Sequence, residues 1–114
     1  MLRNVQYYMK LHLPRVIDNM RYTFRDIPII YGIRCRVTGK MYIGSTLTPQ
    51  DRFRKHLIAN THSSPDLQAD IKKYKLPAFT VYILEIVQIP THLSQSKSQS
   101  SSYLKQVEQT YIDR

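Results

Sequence analysis

Two tyrosines that lie eleven positions apart, Tyr31 and Tyr42, are the residues of this chain most suited to chemistry. Each lies in a short run of β-forming residues, and the two runs meet at Thr38-Gly39-Lys40, a sequence typical of a hairpin turn. Pairing of the two runs would bring both phenols onto one small surface. This surface is a candidate site for handling phosphate groups.

A second pair of polar side chains, Arg52 and His56, lies on a helix predicted to follow the hairpin. Positions 48–49, threonine then proline, have the order of an N-cap and a first helical residue, and the helix should run to about residue 60. Phe53 and Leu57 form its apolar stripe, and the polar pair flanks that stripe one turn apart. Two cationic or protonatable groups therefore share one edge.

The elements that must position these residues can be predicted from patterns further along the chain. Ser64-Pro65 begins another helix, which Pro77 ends. Residues 78–87 are apolar on both faces and predict a central strand, the serine-rich segment 94–102 predicts a mobile surface loop, and residues 103–112 predict a final helix. The sequence thus predicts an α+β fold, with a small three-stranded, mainly antiparallel sheet flanked by about three helices.

Glu108 lies at the edge of the apolar face of the final helix, one turn from both Leu104 and Ile112. One interpretation makes it a solvated residue beside Lys105, in a surface pair that contributes little to stability. The other makes it a metal ligand, because Mg²⁺ and Mn²⁺ prefer oxygen donors and often take only one or two carboxylates plus waters. The residues alone leave both interpretations open.

Charge, cysteine content and hydropathy limit the partners that this site can have. Lysine and arginine number 17 against eight acidic residues, for a formal net charge of +9, which suits a polyanionic partner such as nucleic acid. Residues 28–60 alone hold six basic residues and one acidic residue. The single cysteine, Cys35, is predicted to be a core residue. No apolar run approaches the ~20 residues needed to cross a bilayer, so the protein is predicted to be soluble or peripheral.

The chain divides into two parts by composition, and its length supports one small domain. Residues 1–27 are predicted to be a basic N-terminal extension, and residues 28–114 the domain itself. The extension holds five basic residues among apolar ones. It is interpreted as a helical segment that packs on the domain or holds it to another part of a longer polypeptide.

Taken together, these residues resemble a GIY-YIG nuclease domain, particularly the catalytic domain of intron-encoded homing endonucleases, over residues 28–112. The first motif departs from Gly-Ile-Tyr at its leading position, where Ile29 replaces glycine. The second motif is intact and is followed by Ser45-Thr46, as in the family. The matching stretches, in order, are Ile29-Ile30-Tyr31, Tyr42-Ile43-Gly44, Arg52-Phe53-Arg54-Lys55-His56, His62-Ser63-Ser64 and Glu108-Gln109-Thr110-Tyr111-Ile112.

The resemblance implies phosphodiester hydrolysis of DNA and a role for each matched residue. Tyr31 would act as the general base or orient the attacking water, and Tyr42 would contact the same phosphate or water. Arg52 would bind the scissile phosphate, His56 would assist proton transfer or hold a phosphate oxygen, and Glu108 would bind one Mg²⁺ or Mn²⁺. Further contacts to the substrate are expected from Lys40, Gly44, Ser45, Arg54, Lys55 and His62.

Two other functions are consistent with the same positive charge. One is a catalytically impaired domain that still binds nucleic acid, and the other is a small basic RNA-binding protein, although a recognisable RNA-binding motif is absent from the sequence. The family also places an asparagine beyond the glutamate helix, and the sequence ends at Arg114 before reaching one. We therefore expect an isolated, split or truncated catalytic module of organellar or phage intron origin, whose DNA targeting comes from a separate region or partner chain.

Overall fold

The computed structural model describes residues 6–61 and 64–112, which form one mixed α+β fold. Its strands are β1 (Gln6–Tyr8), β2 (Ile29–Cys35), β3 (Met41–Thr46) and β4 (Phe79–Ile86). Its α-helices are α1 (Pro14–Thr23), α2 (Pro49–Phe53), α3 (Pro65–Tyr74), α4 (Thr91–Ser94) and α5 (Lys97–Ile112). A π-helical turn (Arg54–Ile58) continues α2, and a 3₁₀ turn (Leu76–Ala78) precedes β4.

The four strands form one sheet in the order β1-β4-β2-β3, and every neighbouring pair is antiparallel. The prediction of an α+β fold with an antiparallel sheet is confirmed, whereas the predicted three strands and about three helices are wrong in number. The additional strand, β1, has only three residues, which is too short to show an alternating pattern in the sequence. It pairs with β4, the strand predicted to be central.

The predicted hairpin is confirmed by the pairing of β2 with β3, in which Tyr31 lies opposite Gly44. Its turn is closed by a hydrogen bond of 2.9 Å from the Cys35 amide to the Lys40 carbonyl. Gly39 has a φ of +79°, a left-handed conformation that glycine adopts at little cost. The turn thereby fixes the register that places the two tyrosines on one face of the sheet.

The two faces of the sheet are covered by different helices, because successive residues of a strand point to opposite sides. On the first face, Ile29, Tyr31, Ile33 and Cys35 of β2 join the main core with residues of α1, α2 and α3. Cys35 is fully buried there, as predicted. On the second face, Ile30 packs with Leu104 of α5 in a smaller cluster.

The predicted helix starts after the hairpin are confirmed, and each has a proline in its first turn. The Ser64 hydroxyl accepts a hydrogen bond of 3.2 Å from the Leu67 amide, which satisfies one of the unpaired donors at the start of α3. The π-helical turn after α2 is marked by a bond of 3.0 Å from the Ala59 amide to the Arg54 carbonyl, five residues earlier. Such turns occur frequently at functional sites.

The prediction of a mobile loop over residues 94–102 is wrong, because α5 already begins at Lys97. Serine-rich composition indicates low packing potential, yet Ser100 is buried and its hydroxyl donates a hydrogen bond of 3.2 Å to the Leu93 carbonyl. The contact joins α4 to α5. Tertiary packing has therefore overridden the local preference of serine for turns.

Segments from the N-terminal part of the chain also contribute to the core. Leu11 and two residues of α1, Ile17 and Met20, are buried in the same cluster as the strands. Within residues 6–61 and 64–112, no helix has both the length and the apolar character needed to span a membrane.

Candidate active site

A cleft with a volume of about 630 Å³ opens along β3, the strand at one edge of the sheet. Side chains from both helical layers reach it, because β3 has no further strand beside it. Seven of the residues that the sequence assigned to the site line this cleft: Tyr31, Tyr42, Gly44, Ser45, Arg52, His56 and Glu108. The fold therefore brings together residues that are up to 77 positions apart in the chain.

The other residues assigned to substrate contact have different positions. Lys40 is exposed in the hairpin turn, and Arg54 is exposed on the π-helical turn. Lys55 is half-buried on the same turn. None of these three is among the residues that line the cleft. His62 lies outside the residues that the structure describes.

The ring of Tyr31 reaches the cleft by passing over Gly44 on the neighbouring strand. A Cβ atom placed on Gly44 would lie 2.5 Å from both Cζ and the hydroxyl oxygen of Tyr31. This distance is shorter than any normal contact, so a glycine is required opposite the first tyrosine. Gly44 of the second motif is therefore needed for steric reasons, because only glycine leaves room for Tyr31 of the first motif.

The hydroxyl of Tyr31 lies 2.9 Å from Nε2 of His56, and both residues are only 4% exposed. Phe53 packs against the tyrosine ring in an edge-to-face contact with a centroid separation of 5.3 Å. When Nε2 of His56 carries no proton, the phenol donates its hydrogen bond to the imidazole. The two groups then form a chain along which a proton can move.

Burial raises the pKa of Tyr31 from its ordinary value of 10.0 to about 12. The charge of Arg52 and a hydrogen bond from its side chain oppose this rise, and the negative charge of Glu108 adds to it. Tyr31 is therefore protonated at neutral pH. A phenol with this pKa gives up its proton more readily where a neighbouring group can accept it, and Nε2 of His56 lies within hydrogen-bond distance.

Tyr42 has a different partner, although it projects from the same face of the sheet as Tyr31. Its hydroxyl donates a hydrogen bond of 2.5 Å to Oδ2 of Asp70, a residue of α3. Burial raises the pKa of Tyr42, and the hydrogen bond to Asp70 and the charge of its carboxylate raise it further. The proton of Tyr42 is thus held firmly on the phenol.

Arg52 lies in the last turn of α2, where it is half-buried and lines the cleft beside Tyr31. The π-helical turn begins two residues later and buries both His56 and Leu57. Leu57 anchors the turn in the main core, and His56 meets the tyrosine. A guanidinium in this position can offer two parallel donors to a phosphate that enters the cleft.

Glu108 enters the cleft from α5, on the second face of the sheet, and its side chain is only 12% exposed. Ser45 of β3 donates a hydrogen bond to its Oε1 atom, and Lys105 lies 3.5 Å from the same oxygen. Glu108 is therefore not a freely solvated side chain. One carboxylate oxygen is held against the sheet, which orients the group toward the cleft.

The residues around Glu108 fit a hydrated Mg²⁺ or Mn²⁺ better than a metal enclosed by protein ligands. Among the described residues, no three His, Cys, Asp or Glu side chains are grouped around one point. The Glu108 carboxylate and the neighbouring Ser45 hydroxyl are hard oxygen donors. The open cleft beside them has space for several waters. Magnesium commonly binds proteins in this way, through one or two carboxylates and retained waters.

Sequence reasoning missed two polar contacts at this site, those of Asp70 and Glu85. The Tyr111 hydroxyl, which is in the cleft wall, donates a hydrogen bond of 2.6 Å to Glu85 on β4. Asp70 was missed because no motif in α3 indicated a functional residue. A usable signal was present, since Asp70 flanks the apolar stripe of its helix, three residues after Leu67, much as Glu108 flanks that of α5.

Comparison with known proteins supports the resemblance that the motifs indicated. A family model described as the GIY-YIG catalytic domain matches residues 27–114. Searches of curated proteins and of solved structures gave no match. The family match covers most of the sequence, including both tyrosine motifs, the arginine and histidine of the helix, and the glutamate of α5. The chain therefore belongs to the GIY-YIG catalytic domain family, a family of nucleases.

Proposed function

We propose that this domain is a metal-dependent DNA endonuclease that hydrolyses a phosphodiester bond. The observation that carries the proposal is the buried hydrogen bond between Tyr31 and His56, which lies in one cleft with Arg52 and Glu108. A tyrosine with its own proton acceptor, a guanidinium and a carboxylate supply the three functions that phosphate hydrolysis requires. These are activation of water, stabilisation of negative charge and metal binding.

In the proposed reaction, the oxygen of a water forms a bond to phosphorus as the bond from phosphorus to the leaving sugar oxygen breaks. The water gives a proton to the hydroxyl oxygen of Tyr31, and Tyr31 passes its own proton to Nε2 of His56. This relay avoids an ionised phenol, which would be scarce at neutral pH because the pKa of Tyr31 is about 12. His56 ends the step as an imidazolium beside the phosphate.

Arg52 would bind the non-bridging phosphate oxygens, on which negative charge grows in the transition state. Its half-buried position strengthens this interaction, because electrostatic interactions are stronger away from bulk water. The same charge opposes the rise in the pKa of Tyr31, so Arg52 also favours proton loss from the phenol. Removal of Arg52 should therefore reduce the rate more than the affinity for DNA.

Glu108 would hold one Mg²⁺ or Mn²⁺, with Ser45 fixing the orientation of the carboxylate. When bound, the metal ion supplies a Lewis acid that stabilises negative charge on the phosphate and the leaving oxygen. Lys105 lies 3.5 Å from the same carboxylate oxygen, and its side chain is exposed, so it could also contact the DNA backbone.

We further propose that the domain is a homing-type catalytic module whose sequence specificity comes from a separate DNA-binding region or a partner chain. The groups that line the cleft are suited to a phosphate, a water and a cation. Contacts to phosphate position a protein on DNA but do not read its sequence. The net charge of +9 would support binding to DNA of any sequence.

A plasmid-nicking assay with Mg²⁺ and with excess chelator tests this function. The wild-type protein should nick supercoiled DNA only with the metal, and Arg52→Ala should lower the rate by a factor on the order of 10² to 10³. Arg25→Ala, which removes an exposed arginine outside the cleft, controls for the loss of one positive charge. The proposal fails if nicking persists with chelator, if both variants nick equally fast, or if the wild-type protein binds DNA without cutting it.

A further inference from the structure

Asp70 contacts a residue of the cleft wall, Tyr42, and the family motifs assign it no role. It lies in α3, and the N-cap residue of that helix, Ser64, and its buried Leu67 line the cleft. Its Oδ2 atom accepts the hydrogen bond of 2.5 Å from the Tyr42 hydroxyl, across 28 positions of sequence. A hydrogen bond from a neutral hydroxyl to a carboxylate is short and strong when it is partly shielded from water.

This hydrogen bond determines how Tyr42 can interact with anything in the cleft. A phenol can donate one hydrogen bond, and Tyr42 donates it to Asp70. The remaining lone pairs of the hydroxyl oxygen can only accept. A phosphate oxygen also only accepts, so it is a poor partner for Tyr42 in this state, whereas a water molecule is a good one.

We propose that Asp70 is a positioning residue that fixes Tyr42 as a hydrogen-bond acceptor, so that Tyr42 orients the attacking water rather than binding the phosphate. The water would donate one proton toward Tyr31 and the other toward Tyr42, which directs a lone pair of its oxygen at phosphorus. The raised pKa of Tyr42 agrees with this assignment, because Tyr42 keeps its proton throughout. The inference rests on the proposed endonuclease activity.

Single-turnover nicking by Asp70→Asn, Tyr42→Phe and the double variant tests the proposal. An asparagine keeps the shape of the side chain but can turn its amide donor toward the phenol, so Tyr42 is no longer fixed as an acceptor. We expect each single variant to lower the rate constant about 10- to 100-fold with little change in DNA affinity. The double variant should be no slower than Tyr42→Phe, because Asp70 acts through that hydroxyl.

Asp66→Asn is the matched control, since it removes the same charge from an exposed position one turn earlier in α3. It should nick at nearly the wild-type rate. Asp70→Asn at the wild-type rate would overturn the role of Asp70, and so would losses that multiply fully in the double variant. A wild-type protein that does not nick would instead overturn the proposed endonuclease function.

A titration of the tyrosines by NMR, with ¹³C at Cζ of each ring, gives a readout that does not depend on activity. Asp70→Asn should lower the pKa of Tyr42, because the hydrogen bond and charge that raise it are removed. Asp66→Asn should change it less. An unchanged titration of Tyr42 in Asp70→Asn would show that the hydrogen bond is not formed in solution and would overturn the proposal by itself.

Discussion

The two tyrosine regions of the cleft use the same residue type in opposite ways. Tyr31 of β2 is buried and meets a histidine from the π-helical turn, whereas Tyr42 of β3 is half-buried and meets an aspartate from α3. A neutral histidine can take a proton from a phenol, and an ionised carboxylate holds the proton on it by accepting its hydrogen bond. One tyrosine is thereby suited to proton transfer, and the other to orientation.

The difference teaches that the strands alone do not determine what each tyrosine does. Both residues project from the same face of the sheet on neighbouring strands, and the hairpin register fixes their separation. The helices that pack on that face supply the distinct partners. In this domain the sheet therefore places two phenols on one face, and the helices supply the different partners that distinguish them.

The largest expected effect is the loss of proton transfer in Tyr31→Phe. Nicking should fall on the order of 10³-fold, because general acid–base catalysis contributes this much to many enzymes. Tyr42→Phe should cost less, about 10- to 100-fold, because it removes one orienting hydrogen bond. Single-turnover nicking rates of the two variants would measure the difference between the two regions.

Tyr22→Phe is the control for both variants, since it deletes the hydroxyl of a tyrosine that is 85% exposed and lies outside the cleft. It should be as active as the wild-type protein. Equal losses for Tyr31→Phe and Tyr42→Phe would mean that the two phenols share one role, and the distinction between the regions would be wrong.

An intermediate effect is expected for Gly44→Ala, which tests whether the position of the Tyr31 ring matters. The new methyl group would lie 2.5 Å from the tyrosine hydroxyl, so the ring must move away from its place beside His56. We expect nicking to fall about 100-fold and the free energy of unfolding to drop by about 1 to 3 kcal/mol. Nicking rates and denaturant unfolding would measure the two effects.

Gly39→Ala is a useful comparison for this variant, because a Cβ on Gly39 would meet open space, although the backbone there is left-handed. It should lose about 1 kcal/mol of stability with nearly unchanged nicking. If the two glycine variants lose activity in the same proportion to stability, the close contact at Gly44 has no specific role in the site.

The smallest expected effect concerns Glu108, which lines the same cleft as the two tyrosines. Ser45→Ala removes the hydroxyl that orients Glu108, and variants of this kind weaken metal binding by about 10-fold or more. We expect a weaker dissociation constant for Mn²⁺, measured by electron paramagnetic resonance, with an unchanged fold. Ser100 is also buried but does not line the cleft, so Ser100→Ala should bind Mn²⁺ as the wild-type protein does.

The region around Tyr31 could be largely predicted from the sequence. The hairpin was indicated by its turn residues and the helix by its threonine and proline, and resemblance to the family identified His56 and Glu108 as members of the site. The turn residues and the helix start are local signals, and the family resemblance is an ordered series of local motifs. Such signals identify the residues of the site without any knowledge of how the helices pack on the sheet.

The partner of Tyr42 could not be predicted in the same way. The contact with Asp70 depends on how α3 docks on the sheet, and no local pattern specifies which helix meets which strand. The same limitation explains the missed strand β1, which exists through pairing with β4, and the helical start of α5, which is stabilised by the buried Ser100. Contacts between distant segments decide the first two, and the packing of α4 against α5 decides the third.

The pH dependence of single-turnover nicking by the wild-type protein and His56→Ala tests the proton relay most directly. With the relay, the wild-type rate should level off well below pH 12, because His56 accepts the proton of Tyr31 and the phenol need not ionise beforehand. The rate of the slower His56→Ala variant should instead rise about tenfold per pH unit, because Tyr31 must then ionise to act. A wild-type rate that climbs about tenfold per unit up to pH 12, with the same profile in His56→Ala, would contradict the relay.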